Sequence, residues 1–227
     1  MTTRDLEGWT IAFDLDGTLV ETAPDIVGTL NRLLVQHELP VLPLEQARNL
    51  IGHGAVALLK RGFEAAGAVW DETASPALLK AFLADYMEHI AEHSTAYPGA
   101  IEALDELAAQ GAILCVATNK PTDLSVALFR AIGLESRFKV ICGPQSVSAK
   151  KPDAAHIRET VLQAGGDPAR AIMVGDSITD LNAARATGVP CILTSFGYTD
   201  IPAAELGADA VIDHFSALPA VIGRLIT

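Results

Sequence analysis

Two carboxylates stand two residues apart where the first apolar run of the sequence ends. The segment FDLDGTL places Asp14 and Asp16 directly after the run Thr10–Phe13, and Gly17 follows at once. Side chains two residues apart in an extended segment point to the same side, so both carboxylates can address one ligand. Gly17 permits a tight turn, and N–H groups in such turns bind phosphate oxygens. The spacing predicts a nucleophile and its proton-transfer partner.

Polar residues also follow other apolar runs of the chain. Thr118, Asn119 and Lys120 close the run AILCVAT, Asp176 follows AIMVG, and Lys151 lies in the loop after KVICG. In open α/β sheets, ligands bind outside the carboxyl ends of the strands. We therefore expect one edge of a sheet to gather carboxylates, a hydroxyl, an amide and lysines.

This set of side chains can support phosphoryl transfer. Carboxylates from two strand ends form a site suited to Mg²⁺, which is bound by one or two carboxylates together with a substrate phosphate. Asp14 can attack phosphorus and form an aspartyl-phosphate, while Asp16 protonates the leaving oxygen and later deprotonates a water. Lys151 offsets the charge of the acids, and Thr118 donates a hydrogen bond to the phosphoryl group.

Each of these features taken singly also has a structural explanation. D-x-D-G is a common turn sequence, and Lys-Lys-Pro is typical of a solvated loop. Asp176 and Asp180 can cap a helix that starts near Ile178, and Thr118 can cap a strand end. Their joint occurrence, in chain order at successive strand ends, favours catalysis.

The elements that must position these residues are strands that alternate with helices. Near-continuous apolar runs predict strands covered on both faces, at Trp9–Phe13, Ala112–Thr118, Lys139–Gly143, Ala171–Gly175, Pro190–Ser195 and Ala210–Ile212. Helical patterns separate them at Ala100–Ala109, Asp123–Ile132, Ala154–Ala164 and Ile178–Ala186. The alternation predicts an α/β fold with a doubly wound, Rossmann-like parallel sheet and right-handed crossovers.

The stretch between the first and second predicted strands breaks this rhythm, because residues 22–93 have helical patterns only. Within PALLKAFLADYMEHI, one helical face is predicted at Leu78, Leu79, Phe82, Leu83, Tyr86, Met87 and Ile90. Such a block is too long for an ordinary crossover. We predict a helical cap domain at 22–93, inserted into an α/β catalytic core formed by 1–21 and 94–227.

The composition argues against several classes of protein. Of the 227 residues, 50% are hydrophobic and 19% are charged, as in a folded chain with a large core. The net charge of −12 argues against a nucleic-acid partner. Cys115, Cys142 and Cys191 lie in apolar runs without a C-x-x-C spacing and are expected to be buried thiols of a reduced compartment. The N-terminus lacks a signal core and no apolar run approaches ~20 residues, so we expect a cytoplasmic protein without membrane partners.

As a set, D-x-D-G-T, a strand-ending Thr, Lys-Pro and G-D-S-x-x-D resemble the four motifs of the haloacid dehalogenase superfamily. They stand at Asp14–Leu19, Thr118, Lys151 and Gly175–Asp180. The resemblance spans essentially the whole chain. It implies that the helical insert is a small cap that closes over the active site.

The same resemblance implies roles for single residues. Asp14 is the nucleophile, Asp16 is the acid and base, and Thr118 and Lys151 bind the phosphoryl group. Mg²⁺ is held by Asp14, the backbone carbonyl of Asp16, and Asp176. The second acid, Asp16, implies phosphoryl chemistry, because the dehalogenase branch of the superfamily lacks it.

Finer segments, among them DLDGTLVETAPD, RNLIGHGA, ATNKP and SFGY, resemble the phosphoglycolate phosphatases of that superfamily. They imply a small phosphorylated metabolite, 2-phosphoglycolate, as substrate. Glu21 and His53 depart from the family pattern, which usually has Asp and Asn there. The candidate substrate-binding residues are Gly17, Thr118, Asn119 and Lys151 in the core and Arg48 and His53 in the cap.

Three alternatives stand beside this interpretation. A phosphosugar phosphatase or mutase of the same superfamily would share all four motifs. A receiver-type regulator also gathers acids, a Thr and a Lys at one sheet edge, but is far shorter and lacks both a cap and the second acid. A catalytically silent binding module would have no need of Asp14 and Asp16 together.

Overall fold

The apolar runs of the sequence form the buried strands of a parallel sheet. The computed structural model describes residues 6–52 and 54–226. Its strands are β1 (Thr10–Phe13), β2 (Val20–Glu21), β3 (Thr95–Ala96), β4 (Ile113–Ala117), β5 (Ile141–Cys142), β6 (Ala171–Gly175), β7 (Cys191–Thr194) and β8 (Ala210–Ile212). Every residue of β1, β6 and β7 is buried, as expected for strands covered on both faces. The short strands β2 and β3 form a separate two-stranded sheet.

The six-stranded sheet has the order β5-β4-β1-β6-β7-β8. After β1 the sheet grows outward through β4 and β5, and the chain then returns to the other side of β1 with β6. The parallel register places Ala12 of β1 beside Cys115 of β4 and Met173 of β6. A doubly wound sheet of this order has its crevice where the direction of growth reverses, beside β1 and β6. The predicted α/β class with a doubly wound parallel sheet is confirmed.

Helices connect these strands. In the described residues they are α1 (Ala23–Gln36), α2 (Leu44–Arg48), α3 (Ala55–Ala65), α4 (Ser75–Glu88), α5 (Ala100–Ala109), α6 (Thr122–Ala131), α7 (Ala154–Gln163), α8 (Ile178–Thr187) and α9 (Leu218–Leu225). No helix within the described ranges is both long enough and apolar enough to cross a membrane.

The chain divides into two compact units. The α/β unit comprises the chain up to Val20 and from Ala96 onward, and the helical unit is Glu21–Thr95, with α1 to α4. In the α/β unit, Ile157 of α7 and Leu181 of α8 pack in one buried cluster with Ala12, Cys115 and Met173 of the sheet. All three cysteines are buried and free.

The helical unit has its own packed interior. Helix α3 approaches α1 closely at Gly62, where a Cβ atom would lie 2.7 Å from Leu30 Cδ2. On α4, Leu78, Phe82 and Tyr86 are buried. The predicted buried face is too wide, since Met87 is 37% exposed. Residues at i, i+4 and i+8 form one narrow row, and a neighbouring position such as 87 lies at its edge.

Candidate active site

The carboxyl ends of β1, β4 and β6 bring predicted site residues to one edge of the sheet. Asp14 follows β1, and its N–H donates to Val174 O at 2.8 Å, so the strand pairing continues to this residue. Thr118 follows β4, and its N–H donates to Cys142 O at 3.0 Å. Asp176 follows β6, in the crevice that the sheet order creates.

Three carboxylates meet there. Oxygen atoms of Asp14, Asp176 and Asp180 all lie within 4.8 Å of one another. Asp14 and Asp176 are predicted metal ligands, and Asp180 is the last residue of the fourth motif, for which helix capping is the alternative explanation. The third predicted ligand, Asp16, lies in the turn after β1 that begins with Asp14. Its predicted ligand atom is the backbone carbonyl oxygen rather than a side-chain oxygen.

Gly17 lets the turn after β1 approach Asp176. It has a φ of +81°, and a Cβ atom at this position would lie 2.5 Å from Asp176 Oδ2. Two donors hold the Asp176 carboxylate: the Tyr198 N–H donates to Oδ2 at 2.6 Å, and the Thr18 hydroxyl to Oδ1 at 3.4 Å. Glycine is therefore required both by the left-handed backbone and by the closeness of the two segments.

Lys151 links the acids through a buried ammonium. Its Nζ lies 2.8 Å from Asp14 Oδ1 and 2.6 Å from Asp180 Oδ1, and its side chain is 2% exposed. The loop that carries it is fixed by Asn119, whose side-chain amide donates to Lys151 O and accepts from Lys151 N–H, each at 2.9 Å. The Asn119 side chain thus holds the Lys151 loop, and the substrate-binding role predicted for Asn119 stays a prediction.

Asp180 organises the start of α8. Its Oδ2 accepts hydrogen bonds from the backbone N–H groups of Asp176 and Ser177, at 3.2 and 3.1 Å, and from the Ser177 hydroxyl at 2.7 Å. Together with Ser177 it forms a capping box. The S-x-x-D spacing gave the capping role from sequence, but nothing in that spacing indicated the contact with Lys151.

A second buried lysine faces Asp16. Lys120 Nζ donates to Asp16 Oδ1 at 3.0 Å, and the Lys120 side chain is 4% exposed. Its backbone N–H donates to Thr118 Oγ1 at 3.2 Å, which leaves the hydrogen of that hydroxyl as a donor. Sequence reasoning noted Lys120 at the end of the strand but gave it no role.

Burial and mutual repulsion shift the titration of the acids. Desolvation raises the pKa of Asp14 to about 6, because it outweighs the attraction of the Lys151 ammonium. Desolvation, with Asp180 and Asp14 nearby, raises the pKa of Asp176 well above its ordinary value. Burial also acts to raise the pKa of Asp180, but Lys151 and the Ser177 hydroxyl lower it below the usual range. Burial acts to lower the pKa of Lys151, but the carboxylates of Asp14 and Asp180 raise it above its usual value.

Two observations fit a divalent cation at this cluster. The buried Asp14 Oδ1 forms an ion pair with Lys151 but no aligned hydrogen bond with any described residue. The pKa values of Asp14 and Asp176 are raised chiefly by burial, which the charge of Lys151 only partly offsets, so a further cation here would stabilise both carboxylates. Carboxylate oxygens are the ligands that Mg²⁺ prefers, so the donor set matches the predicted metal.

Another group of possible metal ligands lies in the helical unit, at Asp25, Glu92 and His93. The Asp25 carboxylate there accepts from the N–H groups of His93 and Ser94 and from the Ser94 hydroxyl. The imidazole of His89 pairs with Glu92. These contacts hold the end of the unit together and explain the cluster without a metal.

Arg48, a predicted substrate-binding residue, ends α2 and forms an ion pair with Glu21 within the helical unit. The Glu21 carboxylate also accepts from the Ala23 N–H at 3.2 Å, at the start of α1. His53, the other predicted cap residue, lies outside the described residues.

Comparisons with known proteins agree with the fold and the motifs. Residues 11–194 match the model of the haloacid dehalogenase-like hydrolases. A phosphoglycolate phosphatase of Caulobacter vibrioides is 49% identical over 100% of this chain and 95% of its own length. A phosphoglycolate phosphatase of Agrobacterium fabrum is 42% identical over 100% of this chain and 97% of its length. A solved structure, described as a predicted phosphoglycolate phosphatase from Haemophilus somnus 129PT, superposes with a TM-score of 0.86. It is 32% identical and covers 97% of this chain and 99% of its own.

The chain belongs to the haloacid dehalogenase-like hydrolases, and the resemblance inferred from the four motifs is confirmed. It is an enzyme of the phosphoric monoester hydrolase class, the class of these full-length relatives.

Proposed function

We propose that the enzyme hydrolyses small phosphomonoesters through an aspartyl-phosphate on Asp14, with Mg²⁺ as cofactor. One observation carries the proposal. A partly buried carboxylate, Asp14, lies at a sheet crevice between a lysine and further acids, and Asp16 follows it in the same turn. A nucleophile, charge compensation and a proton-transfer group are thereby close together, which is what phosphoryl transfer requires.

The Asp14 and Asp176 carboxylates and the Asp16 backbone carbonyl would hold the Mg²⁺. When bound, the cation supplies positive charge that allows two carboxylates and a phosphoryl group to be anionic side by side. Asp180 belongs to the same oxygen cluster, but its two oxygens already accept from Lys151 and from three donors at the start of α8. We therefore assign Asp180 to holding Lys151.

The reaction takes two steps at the Asp14 carboxylate. In the first, an Asp14 oxygen attacks phosphorus, the bond to the ester oxygen breaks, and Asp16 gives a proton to the departing alcohol. In the second, Asp16 takes a proton from a water, which attacks the phosphorus of the aspartyl-phosphate. Inorganic phosphate leaves, and both carboxyl groups return to their starting forms.

Thr118, Lys151 and the turn at Gly17 bind the phosphoryl oxygens in this proposal. Thr118 keeps the hydrogen of its hydroxyl as a donor, because its oxygen accepts from the Lys120 N–H. Lys151 brings a positive charge into contact with the nucleophile. Asn119 contributes by fixing the Lys151 loop through two hydrogen bonds.

For the substrate we propose 2-phosphoglycolate, which is converted to glycolate and phosphate. The support is the name that relatives 49% and 42% identical carry over the full chain. Arg48 and His53 are the proposed cap residues that select the substrate. The proposal includes a reducing, cytoplasmic setting, supported by three free, buried cysteines.

The second candidate is a phosphosugar phosphatase or mutase of the same superfamily. A mutase would use the same Asp14 and Asp16 but return the phosphoryl group to a sugar hydroxyl instead of giving it to water. The family-level match and the site chemistry support both candidates equally, and only the names of the relatives favour the first.

The test is phosphate release, with and without Mg²⁺, from a panel of small phosphomonoesters by wild type and Asp14→Asn. We expect preferential hydrolysis of 2-phosphoglycolate that needs Mg²⁺ and is lost in the variant, while the variant keeps its thermal unfolding midpoint within a few degrees. Broad, weak turnover that is lost in the variant would support the aspartyl-phosphate mechanism but contradict 2-phosphoglycolate as the substrate. Near-native turnover by Asp14→Asn would refute the covalent mechanism. No turnover with any ester would favour the mutase, which is tested with sugar bisphosphates.

A further inference from the structure

The α/β unit contains two buried lysines, Lys120 shortly after β4 and Lys151 in the loop between β5 and α7, and they contact different carboxylates. Lys151 contacts Asp14 and Asp180. Lys120 contacts Asp16 instead, at 3.0 Å and across 104 positions of sequence. In the proposed mechanism Lys151 offsets the charge at the nucleophile Asp14, and Lys120 has no role.

The backbone at Lys120 is fixed from several directions. Its N–H donates to Thr118 Oγ1 at 3.2 Å, and its carbonyl oxygen accepts from the Ser125 hydroxyl at 3.4 Å, in the first turn of α6. On a third side, a Cβ atom added to Gly143 would lie 2.4 Å from that carbonyl oxygen. The Lys120 side chain therefore extends from a backbone position that is held in place.

Burial removes the usual cost of ordering a lysine. A surface lysine loses much rotamer freedom when it forms an ion pair, and such pairs are weak for that reason. The Lys120 side chain is 4% exposed, so its stem is already ordered by packing, and Asp16 retains 21% exposure on the open side. A fixed ammonium that holds a partly open carboxylate restricts the directions in which that carboxylate points.

We propose that Lys120 is a positioning residue: its contact with Asp16 Oδ1 holds the Asp16 carboxyl group, protonated on its other oxygen, in the orientation needed for proton transfer to the departing oxygen. This inference rests on the proposed function, because it assumes that Asp16 is the acid and base. Lys120 acts through Asp16 and does not itself contact the substrate. The residue that touches the nucleophile, Lys151, and the residue that aligns the proton donor, Lys120, are thereby separate.

The test compares kcat/KM for three esters in Lys120→Met, Lys120→Arg and wild type. Because kcat/KM reports the steps up to departure of the alcohol, it isolates the first proton transfer. The esters are 2-phosphoglycolate, ethyl phosphate, which lacks the carboxylate, and p-nitrophenyl phosphate, whose phenolate departs without a proton. Lys139→Met, which removes an exposed lysine of the same unit, is the matched control.

We expect Lys120→Met to lower kcat/KM about 10²-fold for both alkyl esters and less than about 5-fold for the aryl ester, in line with the usual size of general acid catalysis. Lys120→Arg should recover most of the loss, and the control should match wild type. In an Asp16→Asn background, Lys120→Met should have no further effect on either alkyl ester.

Other outcomes overturn the proposal in distinguishable ways. An equal loss on all three esters would indicate a merely structural role, and a loss confined to 2-phosphoglycolate would indicate direct binding of its carboxylate. If Lys120→Met does not fold, Lys120→Gln takes its place, because it also removes the ammonium and should show the same difference between the alkyl and aryl esters. Turnover of none of the esters by wild type would refute the proposed function itself, and the positioning role with it.

Discussion

Asn119 and Lys151 are joined by two hydrogen bonds of 2.9 Å, between the side-chain amide of the first and the backbone of the second. The amide pairs with Lys151 as a neighbouring strand would: it donates to the Lys151 C=O and accepts from the Lys151 N–H, which belongs to the preceding peptide group. A loop that follows β4 thereby fixes the loop that carries the buried ammonium.

Asn119→Ala should lower both activity and stability. The backbone N–H and C=O of Lys151 lose their partners, and each unsatisfied group costs about 1–3 kcal/mol unless water replaces the amide. We expect kcat to fall about 10-fold or more, since small displacements of catalytic groups are costly. Phosphate release and thermal unfolding measure the two effects. Gln110→Ala, which removes an exposed amide contact to Glu106, is the control and should change neither.

Asp180→Asn should destabilise the α/β unit by roughly 2–4 kcal/mol, the range expected for breaking a buried ion pair. Both Asp180 oxygens accept hydrogen bonds, Oδ1 from Lys151 and Oδ2 from the start of α8. An amide has one oxygen, so its NH₂ group faces donors in either orientation. Denaturant unfolding gives the free energy.

The control for this substitution is Asp153→Asn, because Asp153 caps α7 through one exposed hydrogen bond to the Ala155 N–H. Asn caps helices about as well as Asp, so the control should lie within about 0.5 kcal/mol of wild type. Equal losses in the two variants would contradict the role of Asp180 in holding Lys151.

Gly17→Ala should weaken Mg²⁺ binding as well as the fold. The new Cβ would lie 2.5 Å from Asp176 Oδ2 and must displace that carboxylate. Gly188→Ala is a matched control, because Gly188 has the same φ of +81° and no atom within 4 Å of the new Cβ. Both should lose about 1–2 kcal/mol to backbone strain. Only Gly17→Ala should raise the Mg²⁺ concentration needed for half-maximal activity, and a similar Mg²⁺ requirement in both variants would contradict the assignment of Asp176.

The metal-free protein should become less stable as the pH rises from about 4 to about 6. The pKa of Asp14 is raised from 3.8 to about 6, so the folded state binds more protons than the unfolded state in that window. The shift of about two units corresponds to roughly 3 kcal/mol of unfolding free energy that is present at low pH and lost as the pH passes the folded pKa. The raised pKa of Asp176 acts in the same direction. The lowered pKa of Asp180 has the opposite effect: it makes the protein less stable as the pH falls, and it acts only below about pH 4.

Chelator-treated protein, unfolded at several pH values with and without Mg²⁺, provides the measurement. Because the cation requires ionised ligands, the rise in unfolding midpoint on adding Mg²⁺ should grow from pH 5 to pH 7. The Asp14→Asn variant should lose the part of the pH dependence that Asp14 contributes and keep the part that Asp176 contributes. A Mg²⁺ effect that stays constant with pH would exclude Asp14 and Asp176 as joint ligands.

Arg48→Met should change substrate preference more than metal dependence. The substitution removes a guanidinium that pairs with Glu21 in the helical unit and that we assign to substrate selection. We expect KM for 2-phosphoglycolate to rise about 10-fold, as for loss of a charge-assisted hydrogen bond, with little change for ethyl phosphate. Arg32→Met, which breaks the ion pair with Asp85 in the same unit, controls for lost stability. Equal losses on every ester would rule out the selective role.

The sequence predicted the six strands of the main sheet and helices α5 to α8 to within a few residues, because buried parallel strands are continuous apolar runs, but it did not predict α9. The widest difference is β5, predicted at Lys139–Gly143 and observed at Ile141–Cys142. Its pairing nevertheless continues outside these bounds, since the Lys139 N–H donates to Leu114 O and Val140 O accepts from the Val116 N–H. An edge strand with one partner offers few hydrogen bonds by which its ends are defined.

The candidate site was predictable where residue type and strand position coincide, as for Asp14 and Asp176. It was not predictable where a role depends on a contact between distant segments. The partners Lys120 and Asp16 are separated by 104 positions, and Lys151 and Asp180 by 29. No local spacing encodes such pairs. The sequence therefore indicated neither the contact of Lys120 with Asp16 nor that of Asp180 with Lys151.

The burial of all three thiols has a practical consequence for spectroscopy. Burial raises the pKa of Cys115 and Cys191, and thiols held protonated in a packed core react slowly with maleimides. Cysteines could be introduced at Val69 of the helical unit, which is 96% exposed, and at Leu162 of α7, which is 56% exposed. These two would react with the dye while the native thiols remain unlabelled. A donor and an acceptor dye at these positions would measure the distance between the two labelled residues during turnover, with every native residue of the interior kept.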